Sequence, residues 1–229
     1  MMWFLLALVL AFSGTHAQEV DSPRKVYKLV FEHTLKADRY EELVDWCREV
    51  DARRGTDNPN YIPPARWIGV FGDGLKFLAE YERENVPEAY TFWPESMQTG
   101  LERLVTTVKR HMYVSHFDAS EKQPLSGVGR KKYKHVIRHT IKPDSFPELA
   151  KWFEATDRRR KENNPDYEPP RRYLQVMGNG LDWVTEGESD ALNEAPGIWP
   201  ASQQAPRDVV AKISREVYKR FSKADWQTD

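Results

Sequence analysis

The feature that most constrains this chain is a long internal repeat. Asp51, Arg53, Arg54, Asn58, Pro59, Tyr61, Pro63, Pro64 and Arg66 recur as Asp157, Arg159, Arg160, Asn164, Pro165, Tyr167, Pro169, Pro170 and Arg172, an offset of 106 residues. The same offset relates Tyr27 to Tyr133, His33 to His139, Trp46 to Trp152 and the Trp93-Pro94 pair to Trp199-Pro200. From Lys25 to Gln98 the copies align without a gap, with roughly 30 of 74 positions identical. Units of this length are domain-sized, not solenoid repeats. The chain therefore divides into a first repeat over 25–117, a linker over 118–130 and a second repeat over 131–222. The linker is polar, with Pro124 and two glycines.

Each repeat opens on a strand. Residues 25–34 alternate and are rich in β-branched and aromatic side chains. Tyr27, Leu29, Phe31 and His33 share one face. A helix follows from about Asp38 to Arg54, marked by Leu43, Trp46, Cys47 and Val50 at helical spacing. Prolines 59, 63 and 64 stop it, because proline lacks an N–H and restricts its predecessor. Asp51 and Arg66 are placed to pair across this loop, which then fixes how helix meets sheet. An alternative makes Arg54, Arg66, Arg160 and Arg172 the mouth of an anion-accepting pocket. Strands over 66–71 and 75–82 flank Gly72-Asp73-Gly74, a hairpin signal. Trp67, Phe71, Phe77 and Tyr81 are assigned to one sheet face, and Ile68, Val70 and Leu78 to the other. Leu101, Leu104, Val105, Val108 and Met112 predict a second helix, repeated by Val209, Val210, Ile213, Val217 and Phe221. Residues after Met112 could instead form a fourth strand.

This order, strand–helix–strand–strand–helix, is an α+β unit with helices on one face of an antiparallel sheet. The duplicated copy is the simplest cover for the other face, giving two ferredoxin-like repeats packed sheet to sheet as an intramolecular pseudo-dimer. The aliphatic face would pack under the helices. The aromatic and histidine face would meet the gap between sheets.

The net charge of −1 provides no field for nucleic acid or anionic membrane. Residues 3–12 are apolar but too few to span a bilayer. Small and polar residues follow, ending at Ala17, so residues 1–17 read as a signal peptide with cleavage before Gln18. Export to the periplasm or the extracellular space follows, with no membrane attachment after cleavage. Cys47 is the only cysteine, which excludes an intramolecular disulfide. Its place on the apolar stripe makes it a core thiol. No metal motif, nucleophile elbow or phosphate loop occurs, and no metal site is expected.

In element order, duplication and aromatic sheet face, residues 25–117 and 131–222 resemble the dimeric α+β barrel superfamily, in a tandem form. That superfamily includes antibiotic-biosynthesis-monooxygenase-like domains. The resemblance implies a cavity between each sheet and its helices, or between the sheets. It implies oxygenation of aromatic substrates without a cofactor, haem degradation, or small-molecule binding.

His33 and His139 are the candidate catalytic residues, since a histidine of near-neutral pKa serves as base or ligand. Tyr27, Trp67, Phe77, Tyr81 and Arg66, with Tyr133, His135, Tyr173, Trp183 and Arg172, are the candidate ligand-binding residues. The sequence thus reads as an exported protein that binds a small apolar or aromatic molecule in an aromatic, histidine-containing cavity in each repeat. No cofactor is required by this reading; haem is the one the resemblance offers. The alternatives are a cofactor-independent monooxygenase or haem-modifying enzyme, and a scaffold with a filled interior. The expected assembly is a monomer with internal pseudo-twofold symmetry, or a weak homo-oligomer.

Overall fold

A computed structural model describes residues 25–71, 75–84, 100–116, 130–177, 181–192 and 205–221. The expected signal peptide, the two expected glycine hairpins, the expected linker up to residue 129 and both Trp-Pro pairs lie outside the described residues. In chain order the elements are β1 (Tyr27–Leu35), α1 (Tyr40–Asp57), β2 (Ala65–Phe71), β3 (Lys76–Arg83), β4 (Val105–Ser115), β5 (Tyr133–Ile141), α2 (Phe146–Asn163), β6 (Arg171–Met177), β7 (Asp182–Ser189) and β8 (Val210–Arg220). The helices form where the apolar stripe predicts. Leu43, Trp46, Cys47 and Val50 are all buried, as are Leu149 and Phe153. Pro147 sits in the first turn of α2, where its missing N–H costs no helical bond.

The eight strands close into one antiparallel barrel in the order β1-β3-β2-β8-β5-β7-β6-β4. Tyr27 pairs with Arg83 across β1 and β3, and Tyr133 with Ser189 across β5 and β7, so the second half repeats the first half's register. Two seams join the halves. Trp67 of β2 pairs with Arg220 of β8, and Ser115 of β4 pairs with Tyr173 of β6. Closure leaves no free sheet edge.

Two expectations are corrected. The predicted second helix is a strand in both halves: β4 and β8 run along β1 and β5 for their whole length. Leu101 and Leu104 are buried in the turn before β4, and their spacing to Val105 imitates a helical stripe. Inside the segment, Val105, Thr106, Thr107 and Val108 favour a pleated backbone, and Val108 is exposed. Each half therefore reads strand–helix–strand–strand–strand. The fourth strand is what supplies the pairing edge for closure, so the sheets join edge to edge as well as facing each other across the barrel.

The sheet faces are also reassigned. Leu29, Phe31, Phe77, Ala79 and Tyr81 pack with Leu43, Trp46, Cys47 and Val50 of α1. Val30, Trp67, Leu78, Tyr113, Val136, Tyr173, Val184 and Tyr218 fill the barrel. The aromatic and histidine face of β1 thus lies under the helix. Trp67 belongs with Leu78, its pairing partner, and Ile68 with Phe77. A one-residue slip in reading β2 moves its whole set to the other face.

Candidate functional site

The repeated signature builds a joint between helix and sheet. Arg66 Nη1 donates to Asp51 Oδ2 at 2.5 Å and Nη2 donates to Oδ1 at 2.7 Å. Tyr61 Oη donates to the same carboxylate at 2.8 Å. The second copy repeats this: Arg172 forks onto Asp157, with Nη2 at 2.8 Å, and Tyr167 Oη donates at 2.8 Å. Forked guanidinium–carboxylate pairs carry both energy and geometry. Burial lowers the pKa of Arg66, but its bonds to Asp51 more than offset this and keep the guanidinium charged. The shared pattern of the two copies is therefore explained by tying the C-terminal half of each helix to the start of β2 or β6. Both arginines are engaged in this joint, which removes them from an anion-accepting mouth.

Between α1 and its sheet lies a cavity lined by Phe31, His33, Trp46, Pro64, Arg66, Phe77, Ala79, Tyr81 and Leu101. Its volume is about 20 Å³, room for one water molecule. His33 is 3% exposed, and its Nδ1 lies 3.3 Å from the Phe77 carbonyl. A carbonyl only accepts, so in the neutral ring Nδ1 carries the hydrogen and Nε2 keeps its lone pair. Burial lowers the His33 pKa to about 4, with the Phe77 carbonyl only partly opposing it. The ring is therefore neutral at pH 7. Phe31 meets Tyr81 edge to face at 6.1 Å, and burial raises the Tyr81 phenol well above its ordinary range. Cys47 is fully buried beside this cleft and its thiol is pushed up to about 12, as expected of a core position.

The matching cleft of the second half is packed differently. Phe153, which replaces Cys47, stacks on Trp183 at 5.1 Å with a 16° interplanar angle. His139 meets Phe153 edge to face at 5.4 Å. The Arg172 guanidinium lies 4.4 Å from the Phe153 ring centroid. Burial lowers the His139 pKa to about 4, partly opposed by the Trp183 backbone. Neither His139 nitrogen makes a hydrogen bond of normal length, nor does Trp183 Nε1 or Thr185 Oγ1. Such groups are where buried water is usually found.

The remaining sequence-predicted site residues are dispersed. Trp67 and Tyr173 lie inside the barrel; Trp67 Nε1 donates to Glu80 at 3.0 Å and Tyr173 Oη to Glu82 at 2.6 Å. Tyr27 is half-buried against the first core cluster, and Tyr133 is also half-buried. His135 lies 2.9 Å from the Ser189 hydroxyl. Of the first-half predictions, His33, Arg66, Phe77 and Tyr81 come together at the cavity. Phe31, Trp46, Pro64, Ala79 and Leu101 complete it and lie outside the predicted set: the helix-facing register of β1 and β3 would name Phe31 and Ala79, and the other three come from α1 and from the segments before β2 and β4.

The expected gap between sheets is filled. Lys28 contacts Glu80 at 3.4 Å and also pairs with Glu186; Lys134 contacts Glu186 at 3.0 Å and also pairs with Glu80. Burial alone would raise the Glu186 pKa, but Lys134 and Lys28 more than offset it and hold the carboxyl well below its ordinary range. Alternation places these four on the inward face, and they are identical between the copies, so their burial could have been inferred.

Comparison of the sequence with protein-family models and with curated proteins finds no match. Solved structures match the fold over most of the chain. A protein assigned as a chlorite dismutase superposes with a TM-score of 0.61 at 15% identity, covering 88% of this chain and 97% of its own. A protein assigned as a monooxygenase from Fusobacterium nucleatum gives 0.55 at 8% identity, covering 88% and 94%. A haem-binding protein from Thermus thermophilus gives 0.51 at 9% identity, covering 90% and 99%. The chain therefore shares its fold with these chlorite dismutase-like, monooxygenase and haem-binding structures.

The described residues do not fit haem. Ligand pockets run to about 300–1,000 Å³, far above the first cleft's 20 Å³. In the second cleft His139 is covered by the Phe153–Trp183 stack. Helix α2 carries no His, Cys, Met or Tyr, the side chains that hold haem iron. Among the described residues no group of three or more His, Cys, Asp or Glu could hold a metal ion, and no helix is long and apolar enough to cross a membrane.

Proposed function

We propose that this is an exported, non-enzymatic protein that binds one small aromatic molecule, in the cleft between α1 and β1–β3. The observation that carries this reading is the cavity at His33, Arg66 and Tyr81, walled by Phe31, Trp46 and Phe77. Its chemistry suits an apolar ring with one hydroxyl. The ring replaces contacts among the aromatic walls, and the hydroxyl donates to His33 Nε2. A cavity of about 150 Å³ accommodates benzene, so the ligand enters as Trp46 and Leu101 turn outward. A macrocycle would require α1 itself to leave the sheet. The two repeats act as the two subunits of a dimer held in one chain, and the ligand is assigned to the first repeat's cleft. Residues 1–17 direct export and are removed.

The enzyme reading is less well supported on grounds of basicity. A general base works best with a pKa near the operating pH. His33, at about 4, is roughly a thousandfold weaker at holding a proton than that optimum requires. It suits a hydrogen-bond acceptor better than a base.

Thermal-shift titration with phenol, indole, 1-naphthol and haemin tests the reading on residues 18–229. A one- or two-ring probe that raises Tm in the wild type and loses the effect in His33→Ala supports it. Stabilisation by haemin alone, or by none of the four, contradicts it. The export claim is checked by the N-terminus of protein recovered from the cell envelope: Gln18 is expected, and Met1 contradicts processing.

A further inference from the structure

At one end of the barrel the two halves carry opposite charges at two equivalent positions, and a histidine against a carboxylate at a third. Glu32 of β1 corresponds to Arg138 of β5, and Lys76 of β3 to Asp182 of β7. His111 corresponds to Glu216: Val30 pairs with the first, and Val136, its equivalent, with the second. The contacts between halves use this inversion. Lys76 Nζ lies 2.5 Å from Glu216 Oε1 across the β2–β8 seam. Arg138 donates to Tyr113 Oη at 2.6 Å, and Glu32 is among the charges acting on Arg138. On the opposite seam burial and then Arg138 hold the His111 pKa down, with Asp182 opposing them, so a neutral imidazole stands where the first seam has the Glu216 carboxylate. Spacing follows charge. Gly69 lies beside Lys76 at this seam, where an added Cβ would sit in ordinary contact, 3.6 Å from the lysine Cβ. The equivalent Gln175 instead brings its amide nitrogen to 3.4 Å from His111 Nδ1.

The deeper interior cluster makes a control. Lys28 and Lys134 are equivalent, as are Glu80 and Glu186. Lys–Glu pairs would form there whether two unlike halves met or two like ones.

We propose that the inverted cluster is a pairing code, which makes the first half of the chain accept a second half and reject another first half. Two first halves would bring Lys76 against His111 and Glu32 towards Glu32. Two second halves would bring Asp182 against Glu216 and Arg138 towards Arg138. Such pairings set Glu32 against Glu32, Arg138 against Arg138 and Asp182 against Glu216, and leave Lys76 without its Glu216 partner; setting register or partner is the best-attested use of buried ion pairs. Connectivity then decides between the chain's own second half and that of another copy, because the linked half is present at millimolar effective concentration.

Three full-length variants test this. Arg138→Glu with Asp182→Lys and Glu216→His gives both halves the first set. Glu32→Arg with Lys76→Asp and His111→Glu gives both halves the second set. The full exchange combines all six changes with Gly69→Gln and Gln175→Gly. Urea unfolding and native mass are read for each. The expected result is a large loss of midpoint in both triple variants and recovery of a stable monomer in the full exchange. An equimolar, co-refolded mixture of the two triples is expected to yield a one-to-one heterodimer that neither forms alone. Triple variants as stable as the wild type overturn the proposal. So does a full exchange no more stable than the triples, which would mean local packing and not complementarity was lost, or a mixture that gives no heterodimer.

Discussion

The two helix–sheet clefts share a frame and differ in filling. Both are tied by the same arginine–aspartate–tyrosine joint, and both hold a buried neutral histidine against the backbone of β3 or β7. Across that frame Cys47 becomes Phe153, Phe77 becomes Trp183, and Tyr81 becomes Gly187. Bulk moves from the distal end of the sheet to the helix. In the second half the added rings stack on each other, and Phe153 meets the histidine edge to face. In the first, the smaller thiol and the outlying tyrosine leave a cavity. A duplicated backbone thus needs only a few side-chain changes to fill its two clefts differently.

The comparison can be broken most severely at the shared joint. Asp51→Ala strands the buried Arg66 guanidinium and is expected to cost about 3–5 kcal/mol. Asp157→Ala is expected to cost a similar amount, measured as the shift in denaturant midpoint. A loss confined to one half would mean the joints are not equivalent. Next in size is acid sensitivity. Each histidine has a folded pKa of about 4 against 6.5. The stability from keeping the rings neutral is therefore complete above pH 6.5 and lost as pH falls towards 4. That is on the order of 3 kcal/mol per ring at pH 4. Replacing either histidine by Phe should flatten the pH–stability curve in this window, and an unchanged slope would contradict the burial argument.

Exchanging the fillings sharpens the contrast. Phe153→Cys removes the ring stacked on Trp183 and is expected to cost about 3 kcal/mol, while opening a cavity in the second cleft. Cys47→Phe overfills the first cleft at a cost of about 2 kcal/mol and should abolish probe binding there. The smallest expected effect is Tyr61→Phe, about 1 kcal/mol, from one hydrogen bond to Asp51.

Much of this architecture is legible in the sequence, because the repeat reports its own constraints. The Asp51–Arg66 pairing, the helical stripe through Cys47 and the α+β class all follow from spacing and residue type. The fourth strand escapes that reading because Leu101 and Leu104, buried in a turn, extend a helical period into a β-branched segment. Once β4 and β8 are read as helices, the barrel cannot be closed. The faces are exchanged when Trp67 is grouped by aromaticity with Phe77, whereas pleating and pairing join it to Leu78. That error sends His33 to the space between sheets, which charged and aromatic side chains fill. The candidate site is therefore half legible: His33, Arg66, Phe77 and Tyr81 do meet, but under α1. Trp46 and Leu101 enter only through the packing of helix and turn on the sheet.

The most direct test of the cleft asymmetry is calorimetric stoichiometry with 1-naphthol across three proteins: wild type, Cys47→Phe and Phe153→Cys. The account predicts one site in the wild type, none in Cys47→Phe and a second site in Phe153→Cys. One site retained in Cys47→Phe would place the ligand outside the first cleft and contradict it.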